Sequence, residues 1–218
     1  MKREYKFLLA GVGIATVGYL YFRKRSNFFG LFKKKTSPKT ILFVGDSITA
    51  DPMWSYPALI RKQRPDLKID VHAKSGQTTG WMLQNLPPVL ARKKYDRVYI
   101  YGGVNDAFNN VNLSTAVSNV QKMIDLARQN GAEAYVVLGY EPNGFMDYKK
   151  MPITRYVRSK EAYIPLIARY KQLQSMFATQ LRNATLIPKI NLGTKTSDGT
   201  HPNGAGQQLI ADTIKQTL

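Results

Sequence analysis

"TILFVGDSIT", residues 40–49, reads as a short buried strand that runs straight into a Gly-Asp-Ser turn. Working outward from it, short apolar strands alternate with helical patterns. The spacing predicts a helix over 54–63 and a strand with period-two alternation over 68–73. Helical turns follow over 80–93, with Pro87-Pro88 predicted to interrupt them, and then a strand over 97–101. Asn112 is placed to cap a long helix that ends near Gly131, and a fourth strand is expected over 134–138. A helix over 161–183 (with a bend expected near Pro165), a strand over 184–187 and a last helix over 204–217 complete the pattern. Strand-helix alternation argues for an α/β domain in which a parallel sheet of five strands is covered on both faces.

In such a sheet the loops after the strands all open on one edge, where functional groups gather. The first strand is followed by Gly45-Asp46-Ser47 and the second by Lys74-Ser75-Gly76. The third is followed by "GGVND", residues 102–106, and the fifth, after a short excursion, by "DGTHPN", residues 198–203. Ser47, Gly76, Asn105, Asp198 and His201 are therefore candidates to converge. Together they hold the parts of an acyl-transfer site. A serine hydroxyl is a poor nucleophile until a base takes its proton, and His201 is the candidate base. Asp198, three residues earlier on the same loop, is placed to fix and stabilise that imidazole. The N–H groups of Ser47 and Gly76 and the Asn105 amide are candidate donors to an oxyanion; at Gly76 the missing side chain would leave room for a close approach.

Each residue also has a plainer reading. Ser47 can be a helix cap, Asn105 a turn residue, and Asp198-Gly199 a tight turn. Asp46 reads as a structural hydrogen bonder, His72 as a packed or surface histidine, and Asp106 as a residue that holds its loop. No G-x-S-x-G elbow is present.

"GDSIT", "SGQTT", "GGVND" and "DGTHPN" resemble, in order, the four sequence blocks of the SGNH hydrolases, or GDSL esterase/lipase family. The resemblance covers roughly residues 40–218 and departs from the G-D-S-L form only in Ile48. It implies a flavodoxin-like three-layer α/β/α sandwich and a serine esterase that uses neither metal nor other cofactor. It also implies a Ser47-His201-Asp198 triad and an oxyanion hole at Ser47, Gly76 and Asn105.

Composition narrows the alternatives. The 218 residues hold no cysteine, which excludes a thiol nucleophile, a disulfide framework and cysteine-bound zinc. His72 and His201 are the two histidines, and no H-E-x-x-H motif exists. The formal net charge is +18, with ten Lys/Arg against one acid in residues 1–39. No nucleic-acid recognition motif accompanies that charge, so a membrane-proximal basic segment is the favoured reading.

Residues 7–22, "FLLAGVGIATVGYLYF", carry no charge and are flanked by Lys2, Arg3 and Lys6 and by Arg23, Lys24 and Arg25. As a helix they would span about 24 Å, short of the ~30 Å hydrocarbon core but extendable by snorkelling Lys6 and Arg23. A cleaved signal peptide fits badly, because the apolar run ends in Tyr-Phe-Arg-Lys-Arg rather than small residues. The expectation is a single-pass membrane anchor over 1–25, a basic and aromatic linker over 26–39, and a hydrolase domain over 40–218. More Lys and Arg follow the apolar run than precede it, a modest bias toward an interior position for the domain; a cell-wall substrate would require the opposite side.

The expected partner is an ester, either an O-acetyl ester on carbohydrate or cell-envelope material or a lipid ester or thioester. A membrane-anchored scaffold that keeps the fold without turnover is the reading from another class. Trp81 and Phe108, with Met53 and Trp54, are candidates to line the substrate pocket. The irregular stretch 140–160, rich in Lys and Arg, is a candidate basic lid.

Overall fold

The computed structural model describes residues 39–140, 160–197 and 200–218. The expected membrane helix, the linker up to Pro38, most of the candidate lid (141–159), and Asp198-Gly199 lie outside the described residues. Among the described residues, no helix is long and apolar enough to cross a membrane.

Five strands form one parallel sheet: β1 (Thr40–Gly45), β2 (Lys68–Ala73), β3 (Arg97–Tyr101), β4 (Glu133–Val137) and β5 (Thr185–Ile187). Their order is β2-β1-β3-β4-β5, the flavodoxin-like order. β1 is fully inside the molecule, and its side chains alternate between two separate cores. Ile41 and Phe43 join one, Leu42 and Val44 the other. The same alternation splits Tyr99 and Tyr101 from Val98 and Ile100 in β3.

Seven helices are described: α1 (Ser47–Ala50), α2 (Tyr56–Gln63), α3 (Thr79–Arg92), α4 (Val104–Phe108), α5 (Leu113–Gln129), α6 (Lys160–Gln180) and α7 (Gly204–Lys215). α2 and α7 cover the first face through Ile60, Ile210, Ala211 and Ile214. α3 and α5 cover the second through Met82, Leu86, Leu90, Val120, Met123 and Ile124, joined by Leu173 and Phe177 of α6. The result is the expected three-layer α/β/α sandwich.

Several boundaries differ from the expectation. The two prolines do not interrupt α3; both are exposed, so the carbonyls they leave unpaired can be met by water. α2 begins at Tyr56, after an Asp51 turn in which the carboxylate accepts the N–H groups of Met53 and Trp54, each at 2.8 Å. α1 and α4, four and five residues long, were not anticipated.

Candidate active site

The strand order reverses at β1, which has β2 on one side and β3 on the other. Ligands in open parallel sheets bind beyond the carboxyl ends of the strands at such a switch point. Ser47 leaves β1 and Asn105 leaves β3, so both flank that crevice.

Gly45 ends β1 because nothing larger fits. A Cβ there would run into the Thr49 side chain and fall 2.8 Å from the Tyr101 carbonyl. Asp46 follows as the cap of α1, its Oδ1 accepting the Ile48 N–H at 3.0 Å. Capping is thus the task of Asp46 and not of Ser47, whose hydroxyl is free for another partner. That partner is His201: Ser47 Oγ and His201 Nε2 lie 3.0 Å apart.

Backbone and side-chain bonds hold the His201 loop in place. Thr196 and Pro202 form an antiparallel bridge across the loop. The Ser197 N–H and hydroxyl both donate to the His201 carbonyl, at 2.8 and 3.1 Å. The Asn203 N–H donates to the Lys195 carbonyl at 3.0 Å, while the Asn203 side chain caps α7 by accepting the Gly206 N–H. Gln207 then ties α7 to α1, the helix that carries Ser47. Its Nε2 donates to the Ile48 carbonyl at 3.1 Å and its Oε1 accepts the Tyr56 N–H at 2.9 Å.

The candidate oxyanion residues are linked as well. Asn105 Nδ2 donates to the Gln77 carbonyl at 3.0 Å and to Asp46 Oδ2 at 3.4 Å. The loop after β2 is thereby fastened to the loop after β3, and both to the cap of α1. Gly76 sits at φ +75°, and a Cβ added there would meet no protein atom within 4 Å. The left-handed backbone itself favours glycine at this position.

Two buried carboxyls lie beneath the site. Burial pushes Asp46 up to about 7, opposed by the Ile48 N–H and the positive charge available to His201 and assisted by the nearby Asp106. Asp106 is raised by burial too, against the bonds from Thr79 that favour its charged form. It accepts the Thr79 N–H at 2.9 Å and hydroxyl at 2.6 Å, and Asn119 Nδ2 donates to that hydroxyl at 3.1 Å. Asp106 thus anchors the start of α3, the loop-holding part expected of it.

The structure brings together Ser47 with His201 and Asn105 with Asp46, each directly, and ties Asn105 to the loop after β2. Asp198 falls outside the described residues. Trp81 is half-buried with its ring stacked on His72, centroids 5.2 Å apart and planes 13° apart, and it packs against the α3-side core. Phe108 is half-buried against the opposite core. Both pack in part against a core and keep part of their surface exposed. Met53 and Trp54 are instead 69% and 66% exposed, on the turn that follows α1. The contributions of Gln77, Thr79 and Gln207 were not foreseen. Gln77 and Thr79 lie 28 and 27 residues from their partners and Gln207 lies 159 from Ile48, so no local pattern could have shown them.

The GDSL-like lipase/acylhydrolase family profile matches residues 43–209, from within β1 into α7. The chain belongs to that family. It is accordingly a serine ester hydrolase of the GDSL, or SGNH, type. An arylesterase of Vibrio mimicus is 29% identical over 204 residues, spanning 88% of this chain and 94% of the relative. Esterase TesA of Pseudomonas aeruginosa is 27% identical over 202 residues, spanning 86% of this chain and 92% of the relative. Among solved structures, the esterase EstA of a Pseudoalteromonas species superposes with a TM-score of 0.57 at 19% identity, covering 82% of this chain and 95% of EstA. At that identity the likeness speaks to the GDSL fold alone.

Proposed function

We propose that Ser47 is the nucleophile of this hydrolase, that His201 is its general base, and that Asp198 orients His201. The observation that carries the reading is the 3.0 Å contact between Ser47 Oγ and His201 Nε2 at the topological switch point. Ser47 Oγ attacks the ester carbonyl carbon as His201 Nε2 takes the hydroxyl proton. The carbonyl electrons move onto the oxygen, which the Ser47 N–H, the Gly76 N–H and the Asn105 amide receive. Asn105 keeps its 3.0 Å bond to Gln77 and gives up the longer one to Asp46. Collapse breaks the bond to the alcohol oxygen, which leaves with the proton from His201. Water, deprotonated by His201, then attacks the acyl carbon, and His201 returns that proton to Ser47 Oγ as the carboxylic acid leaves.

The substrate reading is an O-acetyl ester on carbohydrate or cell-envelope material, with residues 1–25 tethering the enzyme to a membrane. The unbroken apolar run 7–22 supports the tether. A second reading, a lipid ester or thioester with a longer acyl chain, is supported by the exposed Met53-Trp54 pair, an apolar surface beside the nucleophile's helix. A panel of esters graded from acetyl to long acyl separates the two. Turnover confined to acetyl esters supports the first, and turnover rising with chain length supports the second. Loss of all hydrolysis in Ser47→Ala, with unchanged folding by circular dichroism, is expected under both. Retained hydrolysis in that variant would overturn the assignment of Ser47.

A further inference from the structure

A cavity of about 570 Å³ flanks the edge strand β2 and takes no part in the site above. It runs along β2 from Ile69 to His72 and reaches the end of α3. Arg92 and Lys93 close α3, and Tyr95 leads into the first residue of β3, so these residues mark the amino edge of the strands. Ser47 and Asn105 lie beyond the carboxyl edge. Leu42, Ile69, Val71 and Val89 give the cavity an apolar wall.

Its charge is strongly one-sided. Arg61 enters from α2 and Arg92 and Lys93 from α3, against one lining carboxylate, Asp70. That carboxylate is already engaged: Lys93 Nζ lies 2.5 Å from Asp70 Oδ2, and the Tyr95 hydroxyl donates to the same oxygen at 2.8 Å. Arg61 Nη2 donates to the Ile69 carbonyl at 3.0 Å, which fixes its guanidinium at the sheet edge with other N–H groups to spare. Among the described residues no carboxylate pairs with Arg92. Lys62, Arg64, Lys68 and Lys94 extend the positive field, so residues 61–70 and 92–94 carry seven Lys and Arg against two Asp. The second of those, Asp66, is taken by Arg64 at 2.6 Å.

We propose that this groove binds an organic phosphate, with the phosphoryl group between Arg61 and Arg92 and an apolar portion against Val71 and Val89. A carboxylate is satisfied by one guanidinium fork, whereas two guanidiniums from separate helices match a phosphoryl group with more than one acceptor edge. Inorganic phosphate would leave most of the cavity and its apolar wall uncovered. A membrane phospholipid and a soluble phosphomonoester present the same chemistry. The proposal does not rest on the reading of Ser47.

The fold supplies a reporter. His72 lines the cavity and stacks on Trp81. Trp54 is the other of the two tryptophans, so Trp54→Phe leaves Trp81 as the sole tryptophan, read selectively by excitation at the red edge of the aromatic band. Full-length Trp54→Phe protein is titrated with hexyl phosphate, with hexanoate, and with vesicles of phosphatidylglycerol or of phosphatidylcholine. Expected is a saturable Trp81 response to hexyl phosphate that outranks hexanoate, with affinity reduced about tenfold in Arg92→Gln. Arg92 is an exposed residue at a helix end, so that variant keeps the fold; Arg61→Gln provides the second test. Competition by phosphatidylglycerol but not phosphatidylcholine assigns the phosphate to a lipid headgroup, and no competition by either assigns it to a soluble ester. The proposal is overturned by a folded protein with no saturable response, by hexanoate binding as tightly, or by binding indifferent to both arginine variants.

Discussion

Asp46 and Ser47 are neighbours with separate tasks. Asp46 caps α1 and steadies Asn105, which leaves the Ser47 hydroxyl for His201. Burial raises the Asp46 carboxyl from its ordinary 3.8 to about 7, so the native state holds that proton more tightly than the unfolded chain does. Its contribution to stability is therefore present below about pH 4 and is lost as pH rises through about 7. Asp46→Asn cannot ionise. The stability of wild type relative to this variant should fall between those pH values, by on the order of a few kcal/mol. Urea unfolding at several pH values checks it, and a constant difference would contradict the burial argument. Hydrolysis itself should decline on the acid side, because a protonated His201 cannot accept the Ser47 proton. A pH–rate profile without an acid limb would remove His201 from the role of base. At this scale the approach of Ser47 to His201 was legible because the loops that carry them follow strands and open on the sheet's carboxyl edge. The packing of Trp81 on His72 was not, since an aromatic near a catalytic block looks the same in sequence whether it faces substrate or core.

At the scale of elements, the strands and long helices follow from hydrophobic periodicity. β2 and β3 match the expectation to the residue, and Asn112 caps α5 through the N–H groups of Ser114 and Thr115. α1 and α4 escaped because four or five residues hold too little of a helical period to register. They are also the elements that carry Ser47 and Asn105, so the shortest helices hold two of the proposed site residues. Their positions depend on ties from distant elements. Gln207 is the clearest, since it meets both the Ile48 carbonyl and the Tyr56 N–H in the interior. Gln207→Ala leaves both without that partner and should cost about 2–4 kcal/mol. The variant should also turn over ester more slowly, because α1 loses its anchor to α7. Urea unfolding together with kcat/KM tests this; wild-type stability would show that the tie contributes nothing.

Across the whole molecule, the described residues place two cores on either face of one parallel sheet, which gives the α/β/α sandwich its three layers. The layer count and sheet type were legible because every strand alternates with a helix; strand order was not, since pairing is set by packing between distant segments. Charge follows its own division, dense in residues 1–39 and again along the β2 edge. If residues 7–22 anchor the enzyme, the full chain should remain with membranes after carbonate extraction and be released by detergent. Recovery in the soluble fraction would end the tether proposal while leaving the hydrolase assignment intact. The central claim is that Ser47 is activated by His201. It is tested most directly by labelling the purified enzyme with a fluorophosphonate, followed by intact mass. Wild type should take up one phosphonyl group, Ser47→Ala none, and His201→Ala only a trace. Labelling of Ser47→Ala equal to wild type, or no labelling of folded wild type, would contradict it.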